Sequence, residues 1–125
     1  MYSKVILHLA RSAEYPVGSS LHGYELTIPL DEAGYLDAAR WRDQRALCRV
    51  RRFWDGEADR IGYLVHRSGG AEGATWVIDY DRTSSDDDES GYRLSSHRWH
   101  VGDYISIQDP GGHLQTFEVA QVSRL

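Results

Sequence analysis

The chain has 125 residues, of which 41% are hydrophobic and 26% are charged, as in ordinary folded domains, and this composition argues against disorder. A chain of this length can bury a core without metal or disulfide staples, and we predict a single domain over residues 1–125. The formal net charge of −5 argues against a protein that binds nucleic acid or a membrane surface.

Short stretches in which apolar and polar residues alternate recur along the whole chain, and this pattern predicts β-strands. In chain order they are "KVILHLA", "HGYELTIPL", "CRVRRFW", "IGYLVHR", "ATWVIDY", "YRLSSHRWHVG", "DYISIQD" and "LQTFEVAQV". Turn sequences such as "DGEAD" and "PGGH" separate them. About eight strands joined by tight turns predict a mainly β fold, an antiparallel β-barrel or sandwich with one short helix.

Two segments interrupt the strand pattern. Residues 37–47 predict the helix, because Asp37 can cap its first N–H groups and Arg40, Arg42 and Arg45 lie toward its negative C-terminal end. The polar, acidic stretch near residues 82–91 predicts a mobile loop.

The helix and the strand after it are rich in arginine, with six arginines and one acid between residues 40 and 52. Guanidinium groups bind phosphate or carboxylate in a bidentate manner. The residues predicted to bind such a ligand are Arg45, Arg49, Arg51, Arg52 and Trp54. The alternative is that these arginines cover solvated faces and pair with acids of the following turn, Asp55, Glu57 and Asp59.

Strand alternation divides this segment between two faces. Cys48 and Val50 fall on the side of the core, which predicts that the cysteine is a small buried hydrophobic residue. Arg52 falls on the same side, where an unpaired guanidinium is costly. We therefore predict a carboxylate partner for Arg52, either Glu57 or Asp79, unless a bulge switches faces.

Metal binding is a weaker alternative. The chain has six histidines, and His97 and His100 form an H-x-x-H pair that could hold a transition metal in a barrel mouth. Residues three apart lie on opposite faces of a regular strand, so the pair converges only if "HRWH" forms a turn. The sequence therefore favours solvated or structural histidines and predicts no cofactor.

Three stretches, "HGYELTIPLDEAG", "CRVRRFWDGEADRIGYLVHR" and "VGDYISIQDPGGHLQTFEV", carry a resemblance to known sequences. Over most of its length the chain resembles a family of short uncharacterised bacterial proteins with no assigned function. The resemblance implies a stand-alone bacterial domain, and it implies no activity and no site residues.

The sequence predicts a binding module without catalytic residues. The predicted partner is an anionic small molecule or an acidic protein surface, contacted by the arginine-rich helix and strand, and a β-barrel metalloenzyme is the alternative. A purely protein–protein role through an exposed sheet edge is a third hypothesis. A single cysteine and no long apolar run predict a cytoplasmic protein.

Overall fold

Eight antiparallel strands form one closed β-barrel. In the computed structural model, which describes residues 2–67, 75–80, 89–92, 94, 97–109 and 112–125, each strand pairs with the next in sequence, and the last pairs with the first. The strands are β1 (Tyr2–Leu9), β2 (Ser19–Pro29), β3 (Arg49–Trp54), β4 (Arg60–Arg67), β5 (Thr75–Asp79), β6 (Glu89–Tyr92), β7 (Tyr104–Gln108) and β8 (Leu114–Arg124). The predicted mainly β fold is confirmed, and of the two predicted architectures the barrel is the one formed.

Alternation along the strands builds the core inside the barrel. In β1, Val5 and Leu7 are fully buried, whereas the residues between them are partly exposed. Successive side chains of a strand point to opposite faces, so each strand contributes one apolar row to the interior. The largest fully buried side chains are Trp99, Tyr24, Phe117, Leu7, Leu26, Ile28, Leu64, Ile78, Leu94 and Ile105.

One close approach requires glycine. Gly23 in β2 lies opposite His8 of β1, and the register of these two strands shifts just beyond that pair. A Cβ atom on Gly23 would meet the backbone oxygen of Leu7 well inside van der Waals contact. A side chain at this position would therefore force the two strands apart.

The helix lies where it was predicted but is shorter. Helix α1 covers Ala38–Asp43, and the side chain of Asp37 accepts a hydrogen bond from the Arg40 N–H (3.1 Å), as predicted for its cap. The prediction of one helix over 37–47 is wrong beyond Asp43. Gln44 has non-helical dihedral angles (φ −138°, ψ 41°), and Arg45–Leu47 form a separate 3₁₀ turn.

The antiparallel order gives the barrel two distinct ends. We call the upper end the one at which β1 and β3 finish, at Leu9 and Trp54, and β2 and β4 begin. The lower end is the opposite one, and the connection that contains α1 leaves β2 there. Helix α1 packs against β2, and the 3₁₀ turn packs against β4.

Part of the predicted acidic loop lies outside the described residues. Of the stretch 82–91, residues 82–88 are not described, and β6 covers Glu89–Tyr92, so the prediction of a loop is wrong for residues 89–91. The predicted sixth strand, "YRLSSHRWHVG", shares only Tyr92 with β6. Among the described residues, no helix is long and apolar enough to cross a membrane.

Candidate functional site

The arginine-rich segment does not form one surface, because β3 places its side chains on two faces. Val50 is buried in the core beside Cys48, as predicted, and Cys48 is fully buried. Burial raises the pKa of the Cys48 thiol to about 11, so it stays protonated and unreactive at neutral pH. Arg49 and Arg51 point outward, and Arg52 and Trp54 share the inward face with Val50.

Arg51 belongs to a charge network on the outer wall. Its Nη2 atom lies 2.7 Å from Oε2 of Glu25, and its Nη1 atom lies 2.9 Å from Oδ2 of Asp59. Lys4 Nζ approaches the other oxygen of Glu25 at 3.3 Å. The hydrogen bond from Arg51 lowers the pKa of Glu25, and the same bond raises the pKa of Arg51. The alternative prediction, an arginine paired with acids of the following turn, is confirmed for this residue.

Arg52 faces the interior at the upper end, and its predicted partner Glu57 is confirmed. Its Nη1 atom lies 3.3 Å from Oε1 of Glu57, and only 13% of its side chain is exposed. Its guanidinium carbon lies 4.4 Å from the centroid of the Trp54 ring. Over the pairs that β3 makes with β2 and β4 the register does not shift, so no bulge turns Arg52 outward.

Trp54 is the aromatic residue predicted to bind a ligand, and it lies on this same inner face. Its ring is edge-on to His22 (centroids 4.5 Å apart) and to Phe117 (6.4 Å). Trp54 is therefore part of an aromatic cluster at the upper end and does not lie on the outer wall with Arg49.

Two recesses lie on the outer wall, and the remaining predicted arginines line them. The larger recess has a volume of about 400 Å³, and its lining is Trp41, Arg45, Ala46, Tyr63, Leu64, Val65 and Asp79. The smaller recess has a volume of about 250 Å³, and its lining is Glu25, Thr27, Arg49, Val50, Arg51 and Ile61. A cavity of the larger size, mainly apolar with a few polar groups, is typical of small-ligand sites.

The two recesses adjoin, because Arg49 of the smaller one lies directly opposite Tyr63 of the larger one in the β3–β4 ladder. Side chains directly opposite each other in an antiparallel pair have Cβ atoms about 4.5–5.5 Å apart. Tyr63 in turn lies opposite Asp79 of β5. We call the two recesses together the outer groove.

The outer groove is lined by charged residues of both signs: three arginines, Arg45, Arg49 and Arg51, and two carboxylates, Glu25 and Asp79. Within the described part of the chain, neither Arg45 nor Arg49 forms an ion pair, in contrast to Arg51. Arg45 lies 5.7 Å from the ring centroid of Trp41. Trp41 is itself buried, and its Nε1–H donates to the Leu64 carbonyl (2.8 Å), so burial and this hydrogen bond fix the orientation of its ring.

The two predicted histidines, His97 and His100, lie in the connection that precedes β7. His97 is half-buried and His100 is exposed, and the His100 ring lies against Gly34, whose φ of +91° marks a tight turn. Among the described residues, no three His, Cys, Asp or Glu side chains come together in a way that could hold a metal ion. The metal alternative therefore has no third ligand in this part of the chain.

Sequence reasoning missed several residues near the arginines. Arg60 lies opposite Arg52, and Tyr80 lies under the Arg60 guanidinium at 4.1 Å. Pairing residues outward from the two sides of the "DGEAD" turn could have suggested that Arg60 lies opposite Arg52. Tyr63 and Asp79 line the larger recess together with Arg45 because of how β4 and β5 pack in three dimensions. No local sequence pattern indicates this packing.

No family model, no curated protein and no solved structure matches the chain.

Proposed function

We propose that the protein is a binding module for an anionic small molecule, and that the outer groove is its site. One observation carries the proposal: Arg45, which lines the recess of about 400 Å³ together with Tyr63, and Arg49, which lies directly opposite Tyr63 in the adjoining recess, form no ion pair among the described residues. Guanidinium groups without a carboxylate partner favour a carboxylate or phosphate of a ligand. Arg51 is excluded from this role, since two carboxylates already hold it.

The walls of the outer groove suit a ligand with an apolar part next to its anionic group. Trp41, Leu64 and Val65 line the larger recess together with Tyr63, and Tyr63 lies directly opposite Arg49 in the β3–β4 ladder. Such mixed linings bind the apolar part of a ligand by burial and orient it by the charged group.

We further propose that binding takes place in the cytoplasm of a bacterium. The support for this compartment is the single cysteine, Cys48, which is buried in the core and forms no disulfide. The support for a bacterial source is the resemblance described above.

The test is a titration by calorimetry against carboxylate- and phosphate-bearing small molecules, at low and at moderate salt. Arg45→Gln and Arg49→Gln each remove one guanidinium from the groove. We expect each to weaken binding by about tenfold, since a hydrogen bond to a charged group contributes about 1.5–3 kcal/mol. Binding should also weaken as salt rises, because the groove is open to solvent.

Arg11→Gln is the matched control, because Arg11 is an exposed arginine at the upper end of the barrel and its loss changes the net charge equally. It should leave the affinity unchanged. If no member of the panel gives saturable binding, or if Arg11→Gln weakens it as much as Arg49→Gln, the groove is not an anion site. Saturable binding of polyglutamate without binding of any small anion would favour an acidic protein surface as the partner.

A further inference from the structure

The upper end of the barrel brings two arginines together on the inner face. Arg52 of β3 and Arg60 of β4 lie directly opposite each other. Two positions further along the ladder, on the same face, Val50 lies opposite Gly62, and Leu64 follows two positions later in β4. Val50 and Leu64 are buried, so alternation places both Arg52 and Arg60 on the inner face. Like charges directly opposite each other in a ladder are destabilising, and the ion pair of Arg52 with Glu57 offsets part of this repulsion.

Aromatic rings hold both guanidinium groups in place. Arg52 lies 4.4 Å from the centroid of Trp54, and Arg60 lies 4.1 Å from that of Tyr80. The Tyr80 ring lies against Gly62, where an added Cβ would come within 2.9 Å of its Cδ1 atom. Contacts of this kind attract the guanidinium group to the ring and orient its plane.

The surroundings of this pair are aromatic and largely closed to solvent. His22 is 7% exposed and lies edge-on to Trp54, and its Nδ1 atom is 2.6 Å from Oγ of Ser19. Tyr24, directly opposite Arg52 in β2, is 1% exposed and packs edge-on against Phe117. Electrostatic attraction is stronger in such surroundings than at an open surface.

We propose that Arg52 and Arg60 form a second anion site, at the upper end of the barrel, for a phosphate group. A phosphate dianion balances two guanidinium charges, and its oxygens accept from two planar forks at once. A carboxylate carries one charge and two oxygens, so it matches the pair less well. Barrel mouths are a common place for ligand sites.

The proposal does not require that the two arginines lack other partners. Arg52 bonds to Glu57, and both arginines make further contacts with their neighbours. A guanidinium has five N–H donors, so one contact does not exhaust it. The Glu57 side chain is 55% exposed, and its Oε1 atom lies 3.3 Å from Nη1 of Arg52. Glu57 therefore competes with phosphate for Arg52, and phosphate partly displaces it.

The experiment titrates inorganic phosphate, and in a second arm phenyl phosphate, into the whole protein at constant ionic strength. Arg60→Gln should reduce phosphate affinity by about tenfold, as expected for loss of one bidentate pair. Glu57→Gln should increase it severalfold, because a competing carboxylate is removed. Arg124→Gln removes an exposed arginine where β8 ends, at the lower end and outside both proposed sites, and it should leave phosphate affinity unchanged.

Arg60→Lys is the control for loss of folding in Arg60→Gln. It keeps the positive charge and the ring contact but lacks the planar guanidinium group. Circular dichroism should show it folded, with phosphate affinity reduced. Tighter binding of phenyl phosphate than of inorganic phosphate would identify the terminal phosphate of a larger molecule as the ligand, and the reverse would identify free phosphate.

Three outcomes overturn the proposal: no saturable phosphate binding in either arm, equal effects of Arg60→Gln and Arg124→Gln, or weaker binding in Glu57→Gln. An NMR titration of the indole N–H resonances provides the location. The Trp54 signal should shift, whereas that of Trp99 at the lower end should not.

Discussion

The two ends of the barrel use tryptophan in opposite ways. At the lower end, Trp41 and Trp99 are buried to 3% and 0% exposure, and the Nε1–H of each donates to a backbone carbonyl. At the upper end, Trp54 is only partly buried and lies under the guanidinium of Arg52. The lower tryptophans therefore close the core, and the upper one supports a charged group.

The largest expected effect comes from removing a lower tryptophan. Trp99→Ala should destabilise the protein by about 3–5 kcal/mol, as is typical for a fully buried large aromatic residue. Trp54→Ala should cost clearly less, since its ring is partly exposed. Urea unfolding of both variants measures the difference, and equal losses would remove the contrast between the two ends.

A smaller effect is expected from pH at the lower end. His66 stacks on Trp76 (4.2 Å between centroids), and burial, with a contribution from the Arg42 charge, lowers its pKa. The unfolded chain therefore takes up a proton first, near the ordinary pKa of about 6.5, and stability falls as the pH drops below that value. Above it, both states are neutral and this contribution to stability is fully present.

The measurement is the urea midpoint of the wild type and of His66→Gln from about pH 7.5 to about pH 5, the range in which histidine titrates. The variant should lose part of the slope with pH. A slope identical in the two proteins would show that His66 is not buried as a neutral group.

The outer wall between the two ends should respond less. Glu25→Gln removes the shared acceptor of Lys4 and Arg51, and we expect a loss of about 0.5–1 kcal/mol that shrinks as salt rises. Because the pKa of Glu25 is lowered in the folded state, its contribution is present above the unfolded value and disappears as acid protonates the folded carboxylate. Thermal unfolding at neutral pH and in acid tests this: the variant and the wild type should converge in acid.

The smallest change is expected at Cys48. Burial and a raised pKa should make its thiol unreactive toward a disulfide reagent at neutral pH in the native protein, and reactive once urea unfolds the chain. Rapid labelling without denaturant would show that the lower end opens readily, contrary to its description as the closed end.

Local pattern predicted much of this structure, because alternation and turn residues are local properties. It placed seven of the eight strands, the cap at Asp37, the burial of Cys48 and the carboxylate partner of Arg52, but it put the sixth strand too late in the chain. It did not predict the break of the helix at Gln44 or the assembly of the outer groove. The meeting of Arg45 with Tyr63 depends on how β4 passes the 3₁₀ turn, and this is set by tertiary packing.

The consecutive arginines at 51 and 52 have a consequence for how β3 finds its partners during folding. A slip of one position would exchange the faces of all β3 side chains, and it would place Arg51 where Arg52 now lies. At the position of Arg52 this slip replaces one guanidinium by another, so that position discriminates poorly against the mispaired state. The correct alignment is favoured over the slipped one mainly by Val50 and Arg49. In the slipped state Val50 would leave the core for water and Arg49 would enter the core. The lower half of β3 therefore specifies the alignment on which the placement of both sets of arginines depends.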